Sequence, residues 1–361
     1  MEYILINAYC GKNIGDDLFI KIFIDHYPQK KFLLVGDPNN LQFLSNYSNV
    51  EIVNVNSLSI KDKIFLKLSL KSYAQIKKNK WTLFLDKYSK VISHYVILGG
   101  SMFMETNVND FTTTDLINNK LSKAKKFVVG SNFGPYTTDE YCNYFKKLFT
   151  GYESVLFRDS YSKELFQNLA NVKALTDFVF NFKQDFEIRK EAESIGISVM
   201  NFSGRKNIEI FSKDYIDFIR KNILKAKEDG KRCYLFSFCE KEKDHLVVQH
   251  IHKEFPEVIP VYYDGHIDSF LKKFASMETM IATRFHSLVL GLLFEQRIIS
   301  IIYSNKTLNL INDINADIKY ITLNDLEVHD VKDIDNLRVV DVGHVKLLAK
   351  KYFEELDRNL I

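Results

Sequence analysis

Short apolar runs alternate with longer amphipathic segments along the whole chain. The runs are rich in β-branched and aromatic residues, and most are apolar throughout, which favours strands buried on both faces of a parallel sheet. The predicted strands are Tyr3–Asn7, Lys31–Val35, Glu51–Val55, Tyr95–Leu98, Lys126–Gly130, Val155–Arg158, Ile195–Met200, Arg232–Phe238, Val258–Tyr263, Thr279–Ala282 and Ile298–Tyr303.

The amphipathic segments between these runs predict helices on both faces of the sheets. Thr137 and Glu140 have the spacing of a capping box before "YCNYFKKLF". The segment "SKDYIDFIRKNILKAKEDGKR" has apolar residues at helical spacing, and its Gly230 is typical of a helix end. The regular alternation of strands and helices indicates the α/β class.

A charged stretch, "NFKQDFEIRKEAE", separates the two sets of predicted strands and marks a domain boundary. We predict a Rossmann-like domain over residues 1–185, a second one over 186–341, and a C-terminal helix over 342–361 that packs back on the first domain. Two doubly wound domains facing a cleft are the expected architecture. Ligands of such sheets bind beyond the carboxyl ends of the strands.

Composition narrows the class of protein. The 361 residues are 46% hydrophobic and 26% charged, as in soluble globular proteins, and the net charge of +3 is too small to indicate nucleic-acid binding. The four cysteines have neither zinc-ligand nor CxxC spacing, so no metal site is predicted and a reduced, cytoplasmic chain is expected. Neither a signal peptide nor a membrane-spanning run is expected.

The segment Lys61–Lys90 departs from this average. It contains nine lysines and two aspartates, a local charge of +7. Lys63, Lys67 and Lys71 are spaced four apart, with Ile60, Ile64 and Leu68 beside them, which predicts one basic amphipathic helix. Such a helix suits peripheral contact with the inner face of a membrane; the alternative is a solvated helix surface.

Glycine-containing turns follow several predicted strands. In "NAYCGKNIGDDLFI" the backbone N–H groups suit an anion or a sugar hydroxyl, and the two carboxylates favour hydroxyls. The turn "YVILGGSMFME" allows close approach of a ligand to the backbone. The candidate substrate-binding residues in these two turns are Asn13, Gly15, Asp16, Asp17, Gly99, Gly100 and Ser101.

The stretch "METMIATRFHSLVLGLLFEQ" places Arg284 and His286 between a predicted strand and the apolar body of a helix, with Ser287 expected to cap it. A helix N-terminus favours an anion, a guanidinium binds carboxylate or phosphate through two N–H groups, and an imidazole is a proton donor near neutral pH. The pair would bind a small anion and protonate it. The alternative is an Arg–Asp ion pair with a helix-capping histidine.

Two further cations occupy comparable positions. Arg158 follows a predicted strand in "SVLFRDSYSKELF", and Lys306 follows another in "IIYSNKTLNL". Because carboxyl ends of parallel strands share one sheet edge, we expect these cations to converge on a ligand. Surface ion pairing is the alternative for each.

Eight motifs in order resemble those of the polysaccharide pyruvyl transferases over roughly residues 4 to 312. They are "GKNIGDD", "ILGGSMF", "FGPY", "LFRDSYSKELF", "TDFVF", "GISV", "ATRFHSLVLGLL" and "IIYSNK". The resemblance implies a GT-B-like fold with the acceptor on the N-terminal side. Ser101 stands where the family commonly has a third glycine, which bears on the identity of the acceptor.

The resemblance also implies transfer of a pyruvyl group from phosphoenolpyruvate to a sugar or glycan, free or lipid-linked, with formation of a pyruvate ketal. Arg284 and His286 would then serve the donor, His286 as general acid, with Arg158 and Lys306 as further cations. Asp16 or Asp17 would orient the acceptor or act as the base. No cofactor is implied. The alternatives are a GT-B-type glycosyltransferase that uses a nucleotide-sugar and a catalytically silent glycan-binding member.

Overall fold

A computed structural model describes residues 2–55, 57–70, 72–106, 111–327 and 337–361. The chain forms two compact units. The first unit comprises Met1–Cys10, Phe19–Leu175 and Glu355–Ile361, and the second comprises Gly11–Leu18 and Thr176–Glu354. The main division therefore falls before the expected boundary at residue 185, and a short N-terminal segment belongs to the second unit.

The first unit contains a parallel sheet of seven strands in the order β3-β2-β1-β4-β5-β6-β7. The strands are β1 (Tyr3–Ala8), β2 (Lys31–Val35), β3 (Val50–Val53), β4 (Ile92–Leu98), β5 (Lys125–Ser131), β6 (Ser154–Phe157) and β7 (Val172–Ala174). Its core on one face is rich in aromatic side chains, among them Phe103, Phe133 and Phe149.

The second unit contains a parallel sheet of six strands in the order β10-β9-β8-β11-β12-β13. The strands are β8 (Glu191–Val199), β9 (Arg232–Ser237), β10 (Ile259–Tyr262), β11 (Met277–Ala282), β12 (Arg297–Ile302) and β13 (Lys319–Thr322). Both sheets thus have the strand order of the doubly wound dinucleotide-binding fold. In such a sheet the loops after the two strands where the order reverses face the ligand: β1 and β4 in the first sheet, β8 and β11 in the second.

Twelve α-helices are found among the described residues, and they alternate with the strands as predicted. They are α1 (Ile14–His26), α2 (Ile60–Lys67), α3 (Tyr73–Tyr88), α4 (Phe111–Lys120), α5 (Asp139–Phe149), α6 (Ser160–Leu165), α7 (Ser212–Glu228), α8 (Asp244–Glu254), α9 (Ile267–Ala275), α10 (Phe285–Leu293), α11 (Asn305–Ile314) and α12 (Gly343–Leu360). None of the helices described is long and apolar enough to cross a bilayer.

The eleven predicted strands are confirmed with small shifts at their ends, and two short strands, β7 and β13, were not predicted. Both were missed because charged and small residues interrupt their apolar pattern. The predicted cap at Thr137 is wrong: Thr138 caps α5, and the Thr137 hydroxyl donates to Glu105 at 2.9 Å instead. Gly230 follows the end of α7 with a φ of +70°, as predicted.

The prediction of one helix carrying Lys63, Lys67 and Lys71 is also wrong. Helix α2 ends at Lys67, and a second helix begins at Tyr73, where Ser72 and Gln75 form a capping box. Lys71 itself lies outside the described residues. The break follows from Ser69, which has a φ of +54°, and from the strong new helix start at Ser72.

The last turn of α12 belongs to the first unit. There the Tyr27 hydroxyl donates to Asp357 at 2.8 Å, and the His94 ring contacts the carbonyl oxygen of Asn359 at 3.1 Å. These two contacts attach the end of the chain to helix α1 and strand β4.

Candidate functional site

The turn from β11 into α10 lies where the strand order of the second sheet reverses. The backbone N–H groups of Thr283 and Arg284 donate to the Ser198 hydroxyl at 2.9 and 3.2 Å, which fixes the turn against β8. The helix is capped at Arg284 rather than at the predicted Ser287, which lies buried in the first turn. The apolar sequence keeps α10 buried, and its N-terminus therefore presents His286 from a rigid support.

His286 is enclosed by two segments that are distant in sequence. A Cβ atom added to Gly15 would lie 1.8 Å from its Nδ1 atom, so only glycine at position 15 leaves room for the ring. A carboxylate oxygen of Asp177 lies 3.8 Å from its Nε2 atom, and the Asp177 side chain is fully buried.

The loop that contains Gly15 is attached to the second unit. The backbone N–H of Ile14 donates to Phe238 at 3.3 Å, and Asn13 pairs with Cys239 in an isolated antiparallel bridge. The Asn13 side chain accepts the Gly15 N–H at 3.1 Å. Asn13 thus holds the first turn of α1 in the position in which Gly15 contacts His286.

Arg284 is held by carboxylates. Its Nε donates to Asp244 at 2.9 Å, its Nη2 donates to the other oxygen of Asp244, and its Nη1 donates to Glu242. The Arg–Asp ion pair considered for the sequence is therefore present. Three of the five guanidinium N–H groups donate to these carboxylates, one each from Nε, Nη1 and Nη2.

The pKa values of the two carboxylates around Arg284 shift in opposite directions. Burial raises the pKa of Asp244 despite its contact with Arg284. Burial also opposes ionisation of Glu242, but Arg284 and Arg205 together lower the pKa of that carboxyl. Asp244 further accepts N–H groups of Asn201 and Cys239, which tie the ends of β8 and β9 to Arg284.

The structure separates the two aspartates of the N-terminal loop. Asp17 is fully buried and accepts the Tyr263 hydroxyl at 2.6 Å, and burial holds its pKa well above the usual range. Among the described residues its second carboxylate oxygen has no hydrogen-bond partner. Asp16 is partly exposed. Asp16 is therefore the better placed of the two for contact with a ligand in solution.

Lys306 lies in the first turn of α11, next to α10. Its Nζ atom is 5.7 Å from the ring centroids of both Phe285 and Tyr303. Those cation–π contacts place the ammonium beside the first residue of α10. Lys306, Arg284 and His286 are thus brought together at the carboxyl edge of the second sheet.

A separate group forms at the carboxyl edge of the first sheet. The buried Arg158 donates from Nη2 to the Asn132 amide oxygen at 2.6 Å, and the Ser101 hydroxyl donates to the same oxygen at 3.3 Å. A Cβ atom on Gly100 would come within 2.8 Å of the Arg158 guanidinium. Gly99 has a φ of +122°, which favours glycine. The predicted turn thus fits closely around Arg158.

Several residues of these two groups were not predicted. They are Asn132, Asp177, Glu242, Asp244 and Tyr263. Asp177 lies inside the motif "TDFVF", which was recognised without a role for the aspartate. The others stand in ordinary loops and strand ends, and no local pattern distinguishes them. Among the described residues no cluster of His, Cys, Asp and Glu is suited to hold a metal ion.

Comparisons with known proteins agree on family and fold. The model of the polysaccharide pyruvyl transferase family matches residues 13–305. A UDP-GlcNAc 2-epimerase from Methanocaldococcus jannaschii aligns over 99% of this chain and 100% of its own, with a TM-score of 0.61 and 9% identity. Anabaena Alr3699/HepE, solved with UDP and glucose, aligns over 99% and 97%, with a TM-score of 0.56 and 9% identity. No match was found among curated proteins.

The two structural similarities show the fold alone, because identity is so low. They confirm the α/β, GT-B-like fold that was predicted from the sequence.

Proposed function

The chain belongs to the polysaccharide pyruvyl transferase family, and we propose that it transfers the pyruvyl group of phosphoenolpyruvate to a sugar of a polysaccharide or of its lipid-linked precursor. The product is a cyclic pyruvate ketal, and inorganic phosphate is released. The observation that carries the proposal is His286 at the mouth of the buried helix α10, enclosed by Gly15 and paired with Asp177.

The reaction requires an acid and a base. The C3 methylene of the donor gains a proton and becomes a methyl group, which makes C2 electrophilic. One sugar hydroxyl forms the first new C2–O bond, and a second hydroxyl forms the other as the bond from C2 to the phosphate oxygen breaks. Bases accept the two hydroxyl protons. One of these two protons restores the acid.

We assign His286 as the acid that protonates C3. Support comes from the Asp177 carboxylate, which lies 3.8 Å from Nε2 and would stabilise an imidazolium, and from the rigid position that α10 and Gly15 impose on the ring. General acid catalysis of this kind contributes typically 10²–10⁴-fold to a rate. Asp16 is proposed as the group that orients the acceptor or accepts a hydroxyl proton, because Asp17 is buried and burial raises its pKa.

Arg284 and Lys306 are proposed as the cations for the donor's carboxylate and phosphate, and Arg158 is proposed as a substrate-binding cation of the first unit. For Arg284, a donor anion would replace Glu242 on Nη1 while Asp244 continues to orient the guanidinium. Glu242 also accepts from Arg205, so it keeps a cationic partner after the exchange. The turn Gly99–Ser101 beside Arg158 is proposed to bind the substrate through its backbone.

The proposal is tested first by ligand-induced stabilisation. Millimolar phosphoenolpyruvate should raise the melting temperature, because a ligand of the native state stabilises it. Lys306→Gln should weaken the shift, whereas Lys227→Gln, in the exposed last turn of α7, should not. A shift with nucleotide-sugars and none with phosphoenolpyruvate would favour a glycosyltransferase.

Turnover is tested by incubating the protein with phosphoenolpyruvate and a panel of glycans. Stoichiometric phosphate release with a pyruvyl mass gain on one glycan would support the transferase. Glycan binding without phosphate release, across a panel that includes lipid-linked sugars, would indicate a silent binding protein.

A further inference from the structure

Helix α2 exposes a row of aliphatic side chains. Ile60, Ile64 and the C-terminal capping residue Leu68 follow each other at intervals of four residues, so they line one side of the helix. Their exposed fractions are 79%, 49% and 61%. None of the eight residues of α2 is buried. Single exposed aliphatic residues are common on protein surfaces, but a continuous row of them marks an interaction site.

A helix of eight residues is not stable by itself in water, because helices shorter than about 12–15 residues need tertiary packing. The start of α2 is well specified, since Ser59 and Asp62 form a capping box. Asp62 also pairs with Lys80 of α3 at 2.9 Å. Among the described residues, however, none covers the aliphatic row. Another surface must therefore be its natural partner.

Helix α3 supplies a firm attachment for α2. Trp81, Phe84 and Leu85 are buried in the core of the first unit. The pairing of Lys80 with Asp62 therefore links the exposed helix to a helix that is anchored. An element attached in this way keeps its aliphatic row directed at solvent instead of collapsing onto the core.

The charge around the row identifies the partner. Lys61, Lys63 and Lys67 of α2 are all exposed, and the segment as a whole carries +7. Two copies of the chain meeting through this row would bring these like charges together, which disfavours self-association. A partner that is both apolar and negatively charged matches the segment. Amphipathic helices with this composition lie in the interface of anionic membranes.

We propose that α2, with its aliphatic row Ile60, Ile64 and Leu68 and its lysines Lys61, Lys63 and Lys67, docks the protein onto a bilayer that contains anionic phospholipid. The aliphatic side chains enter the boundary between headgroups and acyl chains, and the ammonium groups contact lipid phosphates. The docking does not depend on the proposed transferase reaction.

The experiment is co-sedimentation of the full chain with phosphatidylcholine vesicles that contain or lack phosphatidylglycerol. The protein should pellet only with the anionic vesicles, and high salt should release it. The charge variant replaces three lysines: Lys61→Gln, Lys63→Gln, Lys67→Gln. This variant should bind the anionic vesicles about one hundredfold more weakly than the wild type, since each Lys contributes about fivefold.

The apolar variant is Ile60→Asn, Ile64→Asn, Leu68→Asn. Its affinity for anionic vesicles should fall at least about tenfold, because each buried methylene group contributes to membrane affinity. A matched control replaces three exposed aliphatic residues of other segments, Ile210→Asn, Leu246→Asn, Leu347→Asn, and should bind like the wild type. Because neither variant touches a buried residue, both should melt like the wild type.

Three results would overturn the proposal. One is equal pelleting with neutral and anionic vesicles. Another is unchanged binding of the two α2 variants. The third is a dimer that the wild type forms without vesicles and the apolar variant does not form. That result would make a second copy of the chain the partner of the aliphatic row.

Discussion

Helices α10 and α2 are short, and apolar residues occur in both, yet their surroundings are opposite. Eight residues of α10 are buried, whereas none of α2 is. Helix α10 packs beside the two strands β11 and β12. The comparison teaches that an apolar helical pattern predicts a helix but does not tell what buries it.

The same contrast governs the charged groups at the two helices. At the N-terminus of α10, Arg284 and the side chains around His286 are buried, so each charge needs a specific partner. The lysines of α2 remain in water, where pairing is weak and optional. Chemistry is therefore expected at the first helix and reversible association at the second.

Replacing the imidazole at the N-terminus of α10 should have the largest effect on activity. His286→Gln keeps hydrogen bonding but removes the acid, so turnover should fall by about 10²–10⁴-fold. Binding of phosphoenolpyruvate, measured by thermal shift, should change only a few-fold. His250→Gln, at an exposed position of α8, is the matched control. Near wild-type turnover by folded His286→Gln protein would show that the proton comes from another group.

Truncating a side chain inside α10 tests the burial directly. Leu290 is fully buried, and Leu290→Ala should lower the free energy of unfolding by about 2–5 kcal/mol, through lost apolar burial and the cavity that remains. Urea denaturation followed by circular dichroism measures the change. A loss under about 1 kcal/mol would mean that α10 repacks easily and cannot hold His286 rigidly.

Two aspartates should respond to pH in opposite directions. Burial raises the pKa of Asp17, so the folded protein keeps a proton that the unfolded chain releases near pH ~3.9, and stability falls as pH rises above that value. Contacts with Lys80 and Ser59 lower the pKa of Asp62 to about 2. The contribution of Asp62 is therefore lost as pH falls from about 4 to about 2.

Melting temperatures between about pH 2 and about pH 7 distinguish the two groups. Asp17→Asn should remove part of the decline towards neutral pH, because the amide resembles the protonated carboxyl. Asp62→Asn should change only the acidic end of the curve. A neutral-side decline that is unaltered in Asp17→Asn would mean that Asp17 is ionised in the folded protein.

The smallest effect on stability is expected from a substitution in α2. Ile64→Ala removes exposed methyl groups, so the free energy of unfolding should change by less than about 0.5 kcal/mol. The same urea titration as for Leu290→Ala provides the comparison. A loss comparable to that of Leu290→Ala would show that α2 is buried in solution, either by its own chain or by a second copy.

Much of the fold and part of the site follow from local patterns. Apolar runs such as Lys31–Val35 specify strands, and the step from Thr279–Ala282 into "RFHSLVLGLL" predicts a histidine at the start of a buried helix. Both predictions succeed because strand and helix periodicity depend on neighbours in sequence. The glycine turn at Gly99 and Gly100 is recognisable for the same reason.

The partners of these groups depend on the tertiary structure alone. The strand order brings Gly15 and Asp177 to His286, and Asp244 and Glu242 to Arg284. No local pattern encodes such contacts, because they join segments that only the topology brings together. Burial separates Asp17 from Asp16 in the same way, although the two are adjacent in sequence.

The sequence by itself therefore determined which segments are strands and helices and where the imidazole stands on its helix, since those features arise from residues a few positions apart. Only the tertiary structure decided which carboxylates hold Arg284, which of the two aspartates is buried and which apolar helix remains exposed. Those properties depend on desolvation and on long-range contacts, and both arise only when the sheets and helices pack together.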